Sequence, residues 1–152
     1  MTGIADAVPR LRGALPLLVW LCMPASVEAA CPPAKPVHFA AGASEITLSG
    51  GIPRGERDCY TLRARQGQIL TVEQSDTPDT NIVFQIYQPP WRIVGLPDQM
   101  AVGGTTLPGT AEGEDARRFS GALPATGDYL LVVGTSRGSG EYRLRIAIHV
   151  DR

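Results

Sequence analysis

The chain has 152 residues and a formal net charge of −1, from 14 basic and 15 acidic residues. A nearly neutral chain with no basic patch does not suit nucleic acid, whose backbone is met by clustered Lys and Arg. There is also no acidic tail and no amphipathic membrane helix, and the length is that of one domain once a leader is removed.

Residues 1–30 read as that leader, a secretory signal peptide. Arg10 and Arg12 precede the apolar run 14–23, and small residues follow through Ala29 and Ala30. The run is too short to span a bilayer, which takes roughly 20 apolar residues. Val27 and Ala29 set cleavage before Ala30, with cleavage before Cys31 as the alternative. A cysteine in this place can carry a lipid, but Glu28 stands where a lipoprotein signal has an aliphatic residue, so no membrane anchor is expected. With Cys22 gone, Cys31 and Cys59 form an even pair in an oxidising compartment and are expected as a disulfide. No Cys-x-x-Cys motif gives that pair a redox role. Closing a loop of this size is worth about 3 kcal/mol in the chain-entropy model.

Residues 31–152 are expected as one domain. Residues 31–36 form an extended, proline-rich lead-in, and residues 37–39 a short edge strand. Residues 44–48 alternate weakly, ahead of a turn at 50–55. Residues 59–64 place Tyr60 and Leu62 on one face. After a tight turn at Gln66 and Gly67, residues 68–74 return with Leu70 and Val72 facing alike. Beyond a polar loop from Asp76 to Asn81, residues 82–87 turn Phe84 and Ile86 inward.

Residues 88–118 have no clear period and hold five glycines and four prolines. That is too long for an ordinary connection. Residues 91–94 are expected to finish the preceding strand or cover the core, and residues 103–113 to form a mobile surface loop. Residues 119–123 read as a short strand, then a turn at 124–127. The chain closes with a strand ending at Val133, a glycine-rich loop at 135–140 and a strand from Glu141 to Ile148. Tyr129, Leu131, Val133, Tyr142, Leu144 and Ile146 are the expected core residues of this hairpin. No segment sustains a helical period, so the fold class is all-β: an antiparallel β-sandwich of jelly-roll type with about eight strands.

Few residues point to catalysis. Gly134-Thr135-Ser136-Arg137-Gly138 matches the G-x-S-x-G nucleophile pattern, but that elbow leads into a helix, whereas this loop leads into a strand. His149 is the sole histidine downstream and leaves from the same loop. His38 and His149 lie at opposite ends of the domain, which does not make a metal site. Asp76, Asp79 and Asn81 lack the acidic ladder of a strong calcium site and read as turn residues. Glu112, Glu114 and Asp115 sit in a glycine-bounded loop, not on the facing rigid elements that paired carboxylates require. No enzyme, cofactor or metal is expected, and binding is the default role. Arg137, at a loop tip, has the donor geometry to fork onto a carboxylate; the plainer reading is a solvated turn residue.

The stretch from Asp58 to Leu70 resembles the D-x-Y-x-[FL]-x-A-x-x-G-x-x-[LV] opening of bacterial pre-peptidase C-terminal-type domains. Residues 123–133 resemble their L-P-A-x-G-x-Y-x-[IL]-x-V strand, and residues 140–144 their closing G-x-Y-x-[LV]. The resemblance spans most of residues 46–148 and implies a jelly-roll β-sandwich. Within that group the chain is similar to periplasmic inhibitors of g-type lysozyme, whose loop arginines engage the enzyme's acidic cleft. The matching loop here carries Thr135, Ser136, Arg137 and Ser139, and is shorter and richer in glycine than the family's. The resemblance therefore implies a periplasmic or secreted protein that inserts this loop into a lysozyme or another envelope partner. A module binding carbohydrate or envelope protein through Tyr87, Trp91 and the 88–118 insertion is the alternative. A structural domain with no separate ligand is the third.

Overall fold

The computed structural model describes residues 31–75, 81–95 and 101–150. The expected signal peptide, Asp76 and Asp79 lie outside the described residues. Ten strands are formed among them: β1 (Lys35–Pro36), β2 (Glu45–Ile52), β3 (Asp58–Ala64), β4 (Gln68–Gln74), β5 (Ile82–Tyr87), β6 (Arg92–Val94), β7 (Ala101–Gly103), β8 (Arg118–Ala122), β9 (Gly127–Thr135) and β10 (Gly140–Val150). One sheet has the order β1-β3-β9-β5 and the other β2-β10-β4-β8, while β6 and β7 pair as a separate ribbon. The two main sheets form an all-β sandwich. Their ladders are antiparallel, except that β1 runs parallel to β3.

From β1 to β5, and again from β8 to β10, each strand crosses to the other sheet. The closing segment is therefore not a hairpin. β9 and β10 belong to different sheets, and the loop between them is an arch over one end of the sandwich. The turn at Gln66 and Gly67 likewise joins β3 to β4 across the sheets. Period-2 alternation gives each strand a buried face but does not name the strand it pairs with.

Between the sheets lie Tyr60, Leu62, Leu70, Val72, Phe84, Ile86, Tyr129, Leu131, Val133, Tyr142, Leu144 and Ile146. Every expected core residue of the closing segment is among them. β9 is buried on both faces, because Leu130 and Val132 join a second cluster with Cys31 and Cys59 on the outer face of its sheet. That explains its unbroken apolar run, the mark of a strand covered on both sides. The cover comes from two parts of the chain. The Cys31–Cys59 disulfide, Cα to Cα 6.0 Å, pins the N-terminal segment there. Trp91, just before the ribbon, and Val102, within it, pack on the rest.

Several local expectations shift. The edge strand forms at Lys35 and Pro36 rather than 37–39, although Val37 N–H still donates to the Thr61 carbonyl at 2.8 Å. β2 runs on through Gly50, Gly51 and Ile52, so its turn begins only at Pro53, whose carbonyl accepts from Glu56 N–H. Residues 91–94 do not extend β5, which Pro89 and Pro90 end; Arg92–Val94 pairs with Ala101–Gly103, while Trp91 covers the cluster on the outer face of the sheet. Residues 103–113 are not a free surface loop. Leu107 and Thr110 are buried at 1% and 0% exposure. Leu107 N–H donates to the Ile86 carbonyl at 2.8 Å, and Phe84 N–H donates to the Ala116 carbonyl at 2.8 Å. Thr110 Oγ1 accepts from Ile86 N–H at 3.2 Å and donates to the Leu107 carbonyl at 2.8 Å. The insertion thus lies along the outer edge of β5 and satisfies the backbone of an otherwise open sheet edge.

Candidate functional site

β9 takes Thr135 and β10 takes Gly140, leaving residues 136–139 as the arch. Thr135 Oγ1 donates to the Gly138 carbonyl at 2.9 Å, closing the loop on itself. Gly138 adopts φ +69°, a left-handed conformation that costs a residue with a Cβ about 1 kcal/mol or more. The arch also hangs on the start of β5. Ser136 N–H donates to the Asn81 carbonyl at 2.8 Å, and Ser136 Oγ approaches the same oxygen at 3.3 Å. Arg137 Nε donates to Asn81 Oδ1 at 3.4 Å, a long bond that orients the side chain without neutralising it. Ser136, Arg137 and Ser139 are exposed and Thr135 is half-buried. No ion pair among the described residues includes Arg137. The arch therefore carries an oriented guanidinium available to an acidic partner group.

A depression lies on either side. A cavity of about 270 Å³ separates Thr135 and Ser136 from the β2–β3 loop at residues 55–57 and the turn at residues 111–115. It opens on the outer face of the sheet, where the cover supplied by the N-terminal segment and the ribbon ends. Half-buried Arg57 lines it, also without an ion pair among the described residues, opposite Glu112 and Asp115. On the other flank, Ser139, Gly140 and Glu141 lie beside Gly51, Ile52 and Pro53, where β10 pairs with β2, and together they line a more open hollow. The arch is thus a ridge between two hollows, a shape that fits a cleft. Sequence reading missed Arg57, since nothing in its local pattern sets it apart; the β2–β3 loop reaches the arch only through the sheet crossing.

The other candidates are placed differently. Tyr87 and Trp91 are half-buried and pack on the second cluster, so they do not form the exposed aromatic surface expected of a glycan platform. Tyr87 hydroxyl donates to Gln85 Oε1 at 3.0 Å, and Trp91 Nε1 to the Asp128 carbonyl. Ser136 Oγ points to the Asn81 carbonyl, not to a base, and His38 and His149 are exposed. Glu114 Oε2 accepts from Ala111 N–H at 2.6 Å, a turn-closing bond. No group of three or more His, Cys, Asp or Glu side chains among the described residues is arranged to hold a metal, and no helix among them is long and apolar enough to cross a membrane.

No family model matches the chain, and no curated protein matches it. Solved structures do. Over 80% of this chain and 98% of its own, PliG of Aeromonas hydrophila, a periplasmic lysozyme inhibitor of g-type lysozyme, superposes with a TM-score of 0.57 at 26% identity. A mutant of the Escherichia coli inhibitor of the same description matches 80% of this chain and 100% of its own, at TM-score 0.52 and 24% identity. The Salmonella Typhimurium inhibitor matches 80% and 99%, at TM-score 0.50 and 22% identity, and these last two likenesses support the fold alone. The chain thus shares its β-sandwich, nearly end to end in the partner structures, with periplasmic inhibitors of g-type lysozyme.

Proposed function

We propose that this protein is an exported, non-catalytic inhibitor of g-type lysozyme. It seats the arch between β9 and β10 in the enzyme's cleft, with Arg137 directed at an acidic group there. The observation that carries this reading is the oriented, unpaired guanidinium on a ridge between two hollows. The likeness to the Aeromonas inhibitor supplies the partner. The N-terminal leader pattern and the Cys31–Cys59 bridge both fit an oxidising compartment such as the periplasm. The pre-peptidase C-terminal-type resemblance belongs to the same reading, because its three segments fall on β3 and β4, on β9 and at the start of β10.

The test is lysis of bacterial cell walls by g-, c- and i-type lysozymes with purified residues 31–152 added. Inhibition of the g-type enzyme is expected, falling by at least about tenfold in Arg137→Ala, as for a charge-assisted contact at an interface centre. Full inhibition by that variant removes the role of Arg137, and no inhibition by the parent protein removes the function.

A further inference from the structure

Directly beneath the arch, two buried phenols meet half-buried Asp58 at the rim of the apolar interior and take no part in the reading above. One oxygen of that carboxylate, Oδ1, pairs with Lys35 at 3.4 Å. Tyr142 and Tyr60 are 2% and 7% exposed. Tyr142 hydroxyl donates to Asp58 Oδ2 at 2.7 Å. That uses its one hydrogen, so Tyr60 is the donor in the 2.5 Å bond between the two phenols. Asp58 opens β3 in one sheet and Tyr142 stands near the start of β10 in the other. The chain of hydrogen bonds therefore crosses from sheet to sheet at the end where the arch sits.

Its position in the sequence matters. Arg57, just before Asp58, lines the hollow beside the 111–115 turn, and Glu141, just before Tyr142, lines the other. Successive strand residues point to opposite faces, so fixing Asp58 and Tyr142 inward also fixes the outward setting of their neighbours. Apolar packing alone fills such a space with phenylalanine and leaves the sheets free to slide slightly. A hydrogen-bonded chain in a low-dielectric interior imposes direction as well as distance. Gly50 serves the same arrangement. It faces Tyr142 in the β2–β10 register, and a Cβ there would lie 2.6 Å from the Tyr142 hydroxyl.

We infer that Tyr142 is a positioning residue for the partner-binding end of the molecule: through Asp58 it locks the foot of the arch to the β2–β3 loop and sets Arg137 relative to Arg57. The partner's identity rests on the inhibitor reading; the positioning does not.

The test compares Tyr142→Phe, Tyr60→Phe, Asp58→Asn and Asp58→Ala, reading lysozyme inhibition, thermal stability and amide exchange at Ser136 and Glu141. Tyr142→Phe and Asp58→Ala are expected to weaken inhibition by about tenfold through lost preorganisation. Both should speed exchange in the arch by more than that of Leu70 and Ile146, whose exchange reports the global loss of stability. Tyr60→Phe keeps the Tyr142–Asp58 bond, so it lowers thermal stability and spares inhibition. Asp58→Asn keeps an acceptor and restores the arch. Unchanged arch exchange in both Tyr142→Phe and Asp58→Ala overturns the inference, as does an equal loss of inhibition in Tyr60→Phe. A parent protein that does not inhibit lysozyme overturns the inhibitor reading alone, since amide exchange still decides the positioning.

Discussion

The indole Nε1 of Trp91 donates a 2.7 Å hydrogen bond to the main-chain carbonyl of Asp128. This joins the segment that enters the β6–β7 ribbon to the start of β9, and it holds the ribbon over Leu130 and Val132 on the outer face of the sheet.

Trp91→Phe keeps an aromatic ring and deletes this bond. A loss of about 1 kcal/mol of stability is expected, the usual net value of such a bond. Lysozyme inhibition should stay at the parent level, because Trp91 lines neither the arch nor its hollows. Denaturant melts paired with lysis assays check both halves. A glycan-binding role for the ribbon predicts instead that the substitution abolishes capture of an envelope glycan.

The Cys31–Cys59 bridge closes a separation of 28 residues. Replacing both cysteines with alanine is expected to cost about 3 kcal/mol, chiefly by freeing the unfolded chain. It also lets the N-terminal segment leave the sheet, uncovering Leu130 and Val132. The readouts are a melting temperature lower by about 10 °C and new binding of a hydrophobic dye. A dye signal that rises well before global unfolding identifies the N-terminal segment as the first part to detach.

The phenols of Tyr142 and Tyr129 both titrate above the ordinary tyrosine value, and burial is the main cause in each; for Tyr142 the bonds to Tyr60 and Asp58 add to it. A group whose pKa is raised by folding contributes stability that is complete below its unfolded value. That contribution is lost as pH climbs above about 10, where the unfolded chain ionises and the folded one does not. Stability is therefore expected to fall above that pH. Tyr142→Phe should be less stable at neutral pH yet show a shallower alkaline decline. Parallel declines in urea melts taken between neutral pH and the alkaline limb count against this assignment.

Asp58 and Tyr60 are the Asp and Tyr of the D-x-Y segment, and Tyr142 is the Tyr of the G-x-Y segment. Their hydrogen bonds join two short segments 82 residues apart in the chain into one cross-sheet network. The residues were legible in the chain, but their meeting was not. It depends on β3 and β10 facing each other across the core, and no local pattern encodes that.

The amino-acid sequence by itself determined where most strands of the two main sheets lie and which face each buries, because side chains alternate along any extended chain. From that alone followed the all-β class, the core positions on β9 and β10, and the exposed arginine at the loop between them. The tertiary structure decided which strands pair, so that an apparent hairpin became an arch between sheets and the 88–118 insertion became the cover of β5 and of the outer face. Strand pairing rests on contacts between residues distant in the chain. The arch has its shape, its hollows and its hold on Arg137 only once those contacts form.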